Sequence, residues 1–272
     1  MFGRTRGHTR LKNPFWSGAQ FVAALFRDGE QGVWYDPSDL STLFQDAAGT
    51  IPVTAAGQPV GRMMDKSGNG NHATQSTAAS RPILRLNATT GAYYLETDGV
   101  DDGMQTNSID FTGTDKVSLF AGVRKLSDAA IGTVVELSTD AGSMAGSFAL
   151  QAPPATLGGT YGFYSRGSVA VGGVATVSGF GSPVSSVLNG VGDIANDIRR
   201  MRVNGSAIAN TPSDQGSGTY GNHPLYIGRR GGTSLPFNGH LYGLIIRGAL
   251  TDDPTVAKVE QLLAGKTGVM LP

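Results

Sequence analysis

The chain has 272 residues with 21 basic and 21 acidic side chains, so its formal net charge is zero and it offers no global attraction to nucleic acid or an acidic membrane. It contains no cysteine, which excludes disulfides, iron–sulfur clusters and cysteine-ligated zinc. Glycine accounts for 40 residues, about twice the usual share; without a three-residue period, that density points to many turns joining short strands. A chain of this length hides about 70–75% of its unfolded surface, enough for one large sandwich domain.

In chain order, residues 1–28 read as an anchoring arm. Residues 1–12 hold Arg4, Arg6, Arg10 and Lys12 with His8 and no acid, too little apolar surface to fold alone. Asn13-Pro14 breaks the chain before an apolar segment from Phe15 to Phe26. Two readings stay open for that segment: a short helix packed on its own domain, or an arm that orders on a neighbouring subunit with Phe15, Trp16 and Phe21 as apolar anchors. The segment lacks a small-residue cleavage site and no apolar run reaches the ~18–20 residues of a membrane span, so neither a signal peptide nor a span is expected. The basic arm has no interleaved aromatics and the rest of the chain is neutral, which favours docking on an acidic protein surface over nucleic acid.

Residues 29–272 read as β. Short apolar or alternating runs bounded by Gly, Asn, Asp and Pro predict strands at 33–35, 60–64, 82–86, 92–96, 117–124, 133–137, 161–165, 184–189, 197–203, 225–228 and 241–247. The strictly alternating Asp197–Val203 run is followed by Asn204-Gly205, a strong hairpin signal. The stretch 166–183, rich in Gly, Ala, Ser and Val, reads as small-side-chain strands plus flexible turns. One helix is expected over about 252–264, with Thr251 as cap, Asp252 and Asp253 in its first turn, Pro254 where no amide is needed, an apolar stripe of Val256, Val259, Leu262 and Leu263, and Gly265 as the stop.

Three segments resemble the concanavalin A-like lectin/glucanase (laminin-G-like) jelly rolls, in the form common in bacteriophage tail and virion proteins. They are Trp34–Asp46 leading to Asp65–Gln75, then Leu95–Gly103, then Leu225–Arg229 with Phe237–Ile246 and the closing helix. Together they span about residues 33–267. The resemblance implies an all-β jelly-roll β-sandwich with a short C-terminal helix behind an N-terminal basic arm. It implies no particular function, because this fold hosts lectins, hydrolases, adhesins and spacers alike.

The glucanases of that superfamily place acids close together on one strand. Here there are four glutamates, Glu30, Glu96, Glu136 and Glu260, and none sits in such a run. Glu136 and Asp140 are the nearest pair, separated by what reads as a turn, so they need not share a face. No catalytic residue is assigned. Candidate ligand contacts lie in three loops: Asn69, Asn71 and His72, whose side chains suit sugar hydroxyls; Asp98, Asp101 and Asp102, in a glycine-rich turn; and Arg229 and Arg230, guanidinium donors on a flexible loop. For each loop a plain turn is the competing reading. The three aspartates could gather calcium, although one short cluster rarely supplies 6–8 oxygens; otherwise no cofactor and no metal site is expected, the four histidines being scattered.

The phage form of that resemblance implies a non-enzymatic bacteriophage virion component of the tail, baseplate or tail tip, made in the host cytoplasm. Its sandwich would attach to host-surface polysaccharide or a protein receptor, and its arm would bind other virion proteins. Weak single sites need several copies, so a homo-oligomer such as a trimer is expected. The alternatives are a decoration or spacer protein that packs on other virion subunits, and a glycoside hydrolase.

Overall fold

The computed structural model describes residues 18–168 and 173–272. Helix α1 (Gly18–Ala23) runs into a 3-10 turn at Ala24–Phe26. Strands follow at β1 (Gly32–Tyr35), β2 (Leu43–Phe44), β3 (Arg62–Met63), β4 (Ala73–Thr74), β5 (Ile83–Leu86), β6 (Tyr93–Asp98), β7 (Met104–Asp110) and β8 (Lys116–Lys125). The second half continues with β9 (Thr133–Leu137), β10 (Ser147–Gln151), β11 (Tyr161–Arg166), β12 (Val174–Val177), β13 (Val184–Asp193), β14 (Ile198–Val203), β15 (Ala207–Asn210), β16 (Asn222–Ile227) and β17 (Asn238–Arg247). Helix α2 (Asp253–Thr267) closes the chain.

The strands form two antiparallel sheets. The eight-stranded sheet runs β15-β14-β13-β8-β17-β6-β5, with β1 also on β17. One edge of β17 is shared: Asn238–Leu241 pairs with β6 and Leu244–Arg247 with β1. The nine-stranded sheet runs β12-β11-β10-β9-β16-β7-β4-β3-β2. Alternation sends every second side chain inward, and Leu95, Val123, Leu188 and Leu241 from the first sheet meet Val135, Leu150, Phe163 and Leu225 from the second in one buried core. The predicted β-sandwich is the fold observed.

A second core lies on the outside of the eight-stranded sheet. Trp34, Phe120, Val187 and Ile245 project outward there and are covered by Val256, Val259 and Leu263 of α2 and by Val22, Leu25 and Phe26. Strands β8 and β17 are therefore covered on both faces over this stretch, which is why they read as nearly continuous apolar runs. Glycine lets the helix come close: a Cβ on Gly122 would meet Thr267 Cγ2 at 3.0 Å, and one on Gly243 would meet Leu263 Cδ2 at 3.0 Å.

Several expectations change in detail. The helix cap is Asp252, whose carboxylate accepts from Thr255 N at 2.7 Å; an ionised acceptor one residue later displaces Thr251 from that role. The helix passes through Gly265, where a Cβ would meet nothing, and stops at Gly268 with φ +77°. Strands β2, β4, β7, β10 and β15 were not expected; β7 and β4 carry too many polar side chains, and β2 is too short, to show as apolar runs. Asn204-Gly205 turns at φ +51° and +74° between β14 and β15, the predicted hairpin. The apolar segment packs on its own domain from Gly18 to Phe26, with Phe21 against the second core; Arg4, Arg6, Arg10, Lys12, Phe15 and Trp16 lie outside the described residues.

Candidate functional site

The outer face of the nine-stranded sheet has no helix laid over it among the described residues. Because Met63, Ala73, Met104, Leu225, Ile227, Val135, Leu137, Leu150 and Phe163 fill the core, their strand neighbours point the other way. The register strings those neighbours into one row across the sheet: Arg62 opposite Thr74, Thr74 opposite Gln105, Gln105 opposite Tyr226, then Glu136, Ala149, Tyr164 and Val174. Gln105 and Asn107 on β7 are exposed, and no hydrogen bond ties their side-chain amides among the described residues.

The middle of this row is bridged by the loop after β16. Arg230 donates from Nε to Glu136 Oε2 at 3.0 Å and pairs through Nη1 with Asp140 Oδ1 at 3.0 Å. Arg229 reaches Asp101 O at 2.9 Å and Thr233 O at 2.8 Å. The loop is therefore fastened at both arginines, not flexible as the glycines Gly231 and Gly232 suggested. It covers Tyr226, which is 9% exposed, and Glu136, which is fully buried. Burial pushes the Glu136 carboxyl up, opposed by the Ala141 amide and by Arg230. Glu136 and Asp140 do converge, on a shared guanidinium, which holds the pair as a neutralised bridge in place of two free carboxyls.

On either side of the bridge lie grooves. One, of about 180 Å³, is lined by Thr74, Gln75, Ser76, Gln105, Arg229 and the backbone of Gly103. It adjoins a second of about 370 Å³ lined by Arg62, Asn71, His72, Thr74, Asn107 and Ser108; Thr74 belongs to both. Beyond the bridge a third, of about 240 Å³, is bounded by Gly142, Tyr164, Arg166 and Val174. Hydroxyls, amides and guanidinium groups dominate the walls of the first two, a lining suited to polyhydroxylated ligands more than to apolar ones, whereas the third is lined mainly by apolar surface.

The three predicted loops meet this face unequally. Asn71, His72 and Arg229 line its grooves. Asn69 and Asn71 spend their amides inward: Asn69 donates to Glu30 O and Gly32 O at 3.1 and 3.2 Å, and Asn71 to Gln31 Oε1 and Gly32 O at 2.9 and 2.8 Å. His72 Nδ1 accepts from Asp65 N at 3.0 Å, and desolvation with nearby Arg62 holds its pKa below the usual value, against Asp65. The hub of this loop is Asp65, a residue the sequence did not single out. Its carboxylate accepts from Trp34 N, Ser67 N, Ser67 Oγ and Asn71 N, and so clamps the loop to β1.

The aspartate turn sits at the rim beside Arg229. Asp98 Oδ1 accepts from Val100 N and Asp101 N, Asp102 Oδ2 from Asp98 N, and Asp101 Oδ2 from Ser80 Oγ. One oxygen from each carboxylate lies within 4.8 Å of the others. Three such ligands are half or fewer of the 6–8 oxygens calcium takes, and several oxygens are already engaged, so the turn fits a self-capped loop better than a calcium cage. Burial, followed by the neighbouring Asp98 charge, pushes Asp102 up to about 6.

Comparison with solved structures bears on the fold. The binding domain of botulinum neurotoxin serotype D in complex with N-acetylneuraminic acid superposes with a TM-score of 0.57 at 8% identity, over 90% of this chain and 52% of that one. The binding domain of botulinum neurotoxin DC in complex with rat synaptotagmin II gives 0.54 at 12% identity, over 74% and 49%. The chain folds as a lectin-like β-sandwich. It spans about half the length of these two binding domains. No family model and no curated protein matches the sequence.

Proposed function

We propose that this protein is a non-enzymatic attachment module whose lectin-like sandwich binds carbohydrate along the open face of the nine-stranded sheet. One observation carries the reading. Polar side chains Arg62, Thr74 and Gln105 lie in register on one half of that face, and paired polar grooves meet at Thr74, with unengaged amides at Gln105 and Asn107 beside them. Amides and hydroxyls that are not spent on the fold are what a shallow sugar site needs to fix orientation. The glycan-bound state of a structural neighbour, a toxin domain seen with N-acetylneuraminic acid, is compatible with this use of the fold.

Against hydrolysis stands the bridge of Arg230 to both Glu136 and Asp140: a general acid needs a carboxyl free to give its proton to the leaving group. The sequence resemblance to phage tail and virion jelly rolls supports a place in a virion, as a tail, baseplate or tail-tip component. Residues 1–17 with their basic side chains would join it to other virion proteins, and the sandwich would face host-surface polysaccharide or a protein receptor. Assembly as a homo-oligomer, a trimer for instance, would raise the avidity of weak single sites.

The test is binding of the fluorescent protein to an immobilised glycan panel, beside a variant carrying Gln105→Ala and Asn107→Ala. Saturable binding that falls at least tenfold in the variant is expected. A panel with no binder, for a protein that is folded, would leave a packing or spacer role as the better account.

A further inference from the structure

The opposite face of the sandwich holds a second cluster of side chains that the attachment reading does not use. Leu95, Val123 and Leu241 belong to the main core, so Tyr94 and Glu96 on β6, Arg124 on β8 and His240 on β17 project outward from the eight-stranded sheet. Register sets Glu96, His240, Arg124 and Ser185 side by side, and Arg85 opposite Tyr94. The helical cover of this sheet lies over Trp34, Phe120, Val187 and Ile245. Tyr94, His240 and Arg124 keep part of their surface in solvent.

The aromatic side chains form a packed group. Tyr94 stacks on His240 with centroids 4.1 Å apart and planes 21° apart, and Tyr242 lies 4.9 Å from Tyr94. Tyr242 is buried and held by Asn87 Nδ2, which donates to its hydroxyl at 3.2 Å. Arg85 is paired with Glu96 at 3.1 Å. Arg124, by contrast, makes no hydrogen bond or ion pair among the described residues. The buried His240 Nδ1 also has no hydrogen-bond partner among the described residues. With Glu96 neutralised by Arg85, Arg124 is an unspent cation beside an aromatic platform.

We propose that this face is a second ligand site, for a pyranose sugar that bears a carboxylate. The rings offer the apolar surface on which a sugar ring can rest. The guanidinium offers two parallel donors matched to a carboxylate, which a neutral sugar would leave unused. The site is independent of the grooves on the nine-stranded sheet, which lies on the other side of the core.

The test is a titration followed by NMR of the intact protein with labelled histidines, reading the His240 ring. Burial, with Arg124 and Arg85 adding to it against Glu96, lowers His240 to about 4, so at pH 7 the ring is neutral and its resonances report ligand contact in place of protonation. The probes are N-acetylneuraminate, glucuronate, methyl α-glucopyranoside and acetate. A saturable shift of His240 with either acidic sugar and none with the other two is expected; which acidic sugar binds tells a terminal sialic acid from a uronic acid of a polymer. Arg124→Gln should weaken that binding about tenfold, the scale of one charge-assisted pair. The Gln105→Ala/Asn107→Ala variant should leave it unchanged. No shift with the acidic sugars, an equal shift with acetate or the neutral glycoside, or full affinity in Arg124→Gln would each overturn the proposal.

Discussion

At the scale of the residue, the loop that looked most like a sugar contact is largely a structural knot. Asp65 takes four donors from three residues, one from Trp34 on β1 and three from Ser67 and Asn71 in the facing turn. Asp65→Ala would strip those donors of a charged acceptor and is expected to lower stability by about 2–4 kcal/mol, read as a shift of the urea midpoint with unchanged slope. Asp102 gives a pH signature. Its carboxyl keeps its proton to about pH 6 in the folded chain against 3.8 ordinarily, so the favourable contribution is full below about pH 4 and is lost as pH rises through 6. Asp102→Asn should therefore gain roughly 2 kcal/mol at pH 7.5 and nothing at pH 4, by chemical denaturation at both. Asn69, Asn71 and the aspartates were legible as turn formers because their chemistry is local. Gln105 and Asn107 were not: they matter through the strands beside them, and a polar run such as Gln105–Ser108 looks like loop until its register is known.

At the scale of the element, the closing helix and the first helical turn form one lid on the outer face of the eight-stranded sheet. Leu263 is 1% exposed and fits where Gly122 and Gly243 leave room. Leu263→Ala should cost about 2–4 kcal/mol as a cavity. Gly122→Val should be at least as costly, since Thr267 and the helix backbone behind it would have to move; the two are compared by thermal unfolding. The helix was readable because acids, proline and an apolar stripe act together within a dozen residues. Its end was misplaced because Gly265 and Gly268 are equally good stops on local grounds, and only Thr90 Oγ1 donating to Lys266 O and packing on the sheet carry the helix onward. Long apolar strands were likewise legible, whereas the short β2 and β4 owe their existence to neighbours rather than to their own sequence.

At the scale of the molecule, one sandwich presents two unlike faces: polar grooves on the nine-stranded sheet, and a helical lid beside an aromatic and basic patch on the eight-stranded sheet. The architecture could be read from turn spacing and from the resemblance of three segments. The order of strands could not, because pairs such as β8 with β17 join residues far apart in the chain. Where the protein is used as an attachment device, several copies presenting the same open face would bind a surface far more tightly than one, and affinity for an immobilised glycan should exceed that for the free sugar in proportion to linked copies.

The central claim is that carbohydrate is held on the open face around β4 and β7. It is tested most directly by mapping backbone amide exchange of the protein with and without the best binder from the glycan panel. Protection centred on Ala73–Thr74, Met104–Asp110 and the Arg229–Ser234 loop is the predicted result. Binding that leaves those segments unprotected, with protection confined to other parts of the sandwich, would contradict the account.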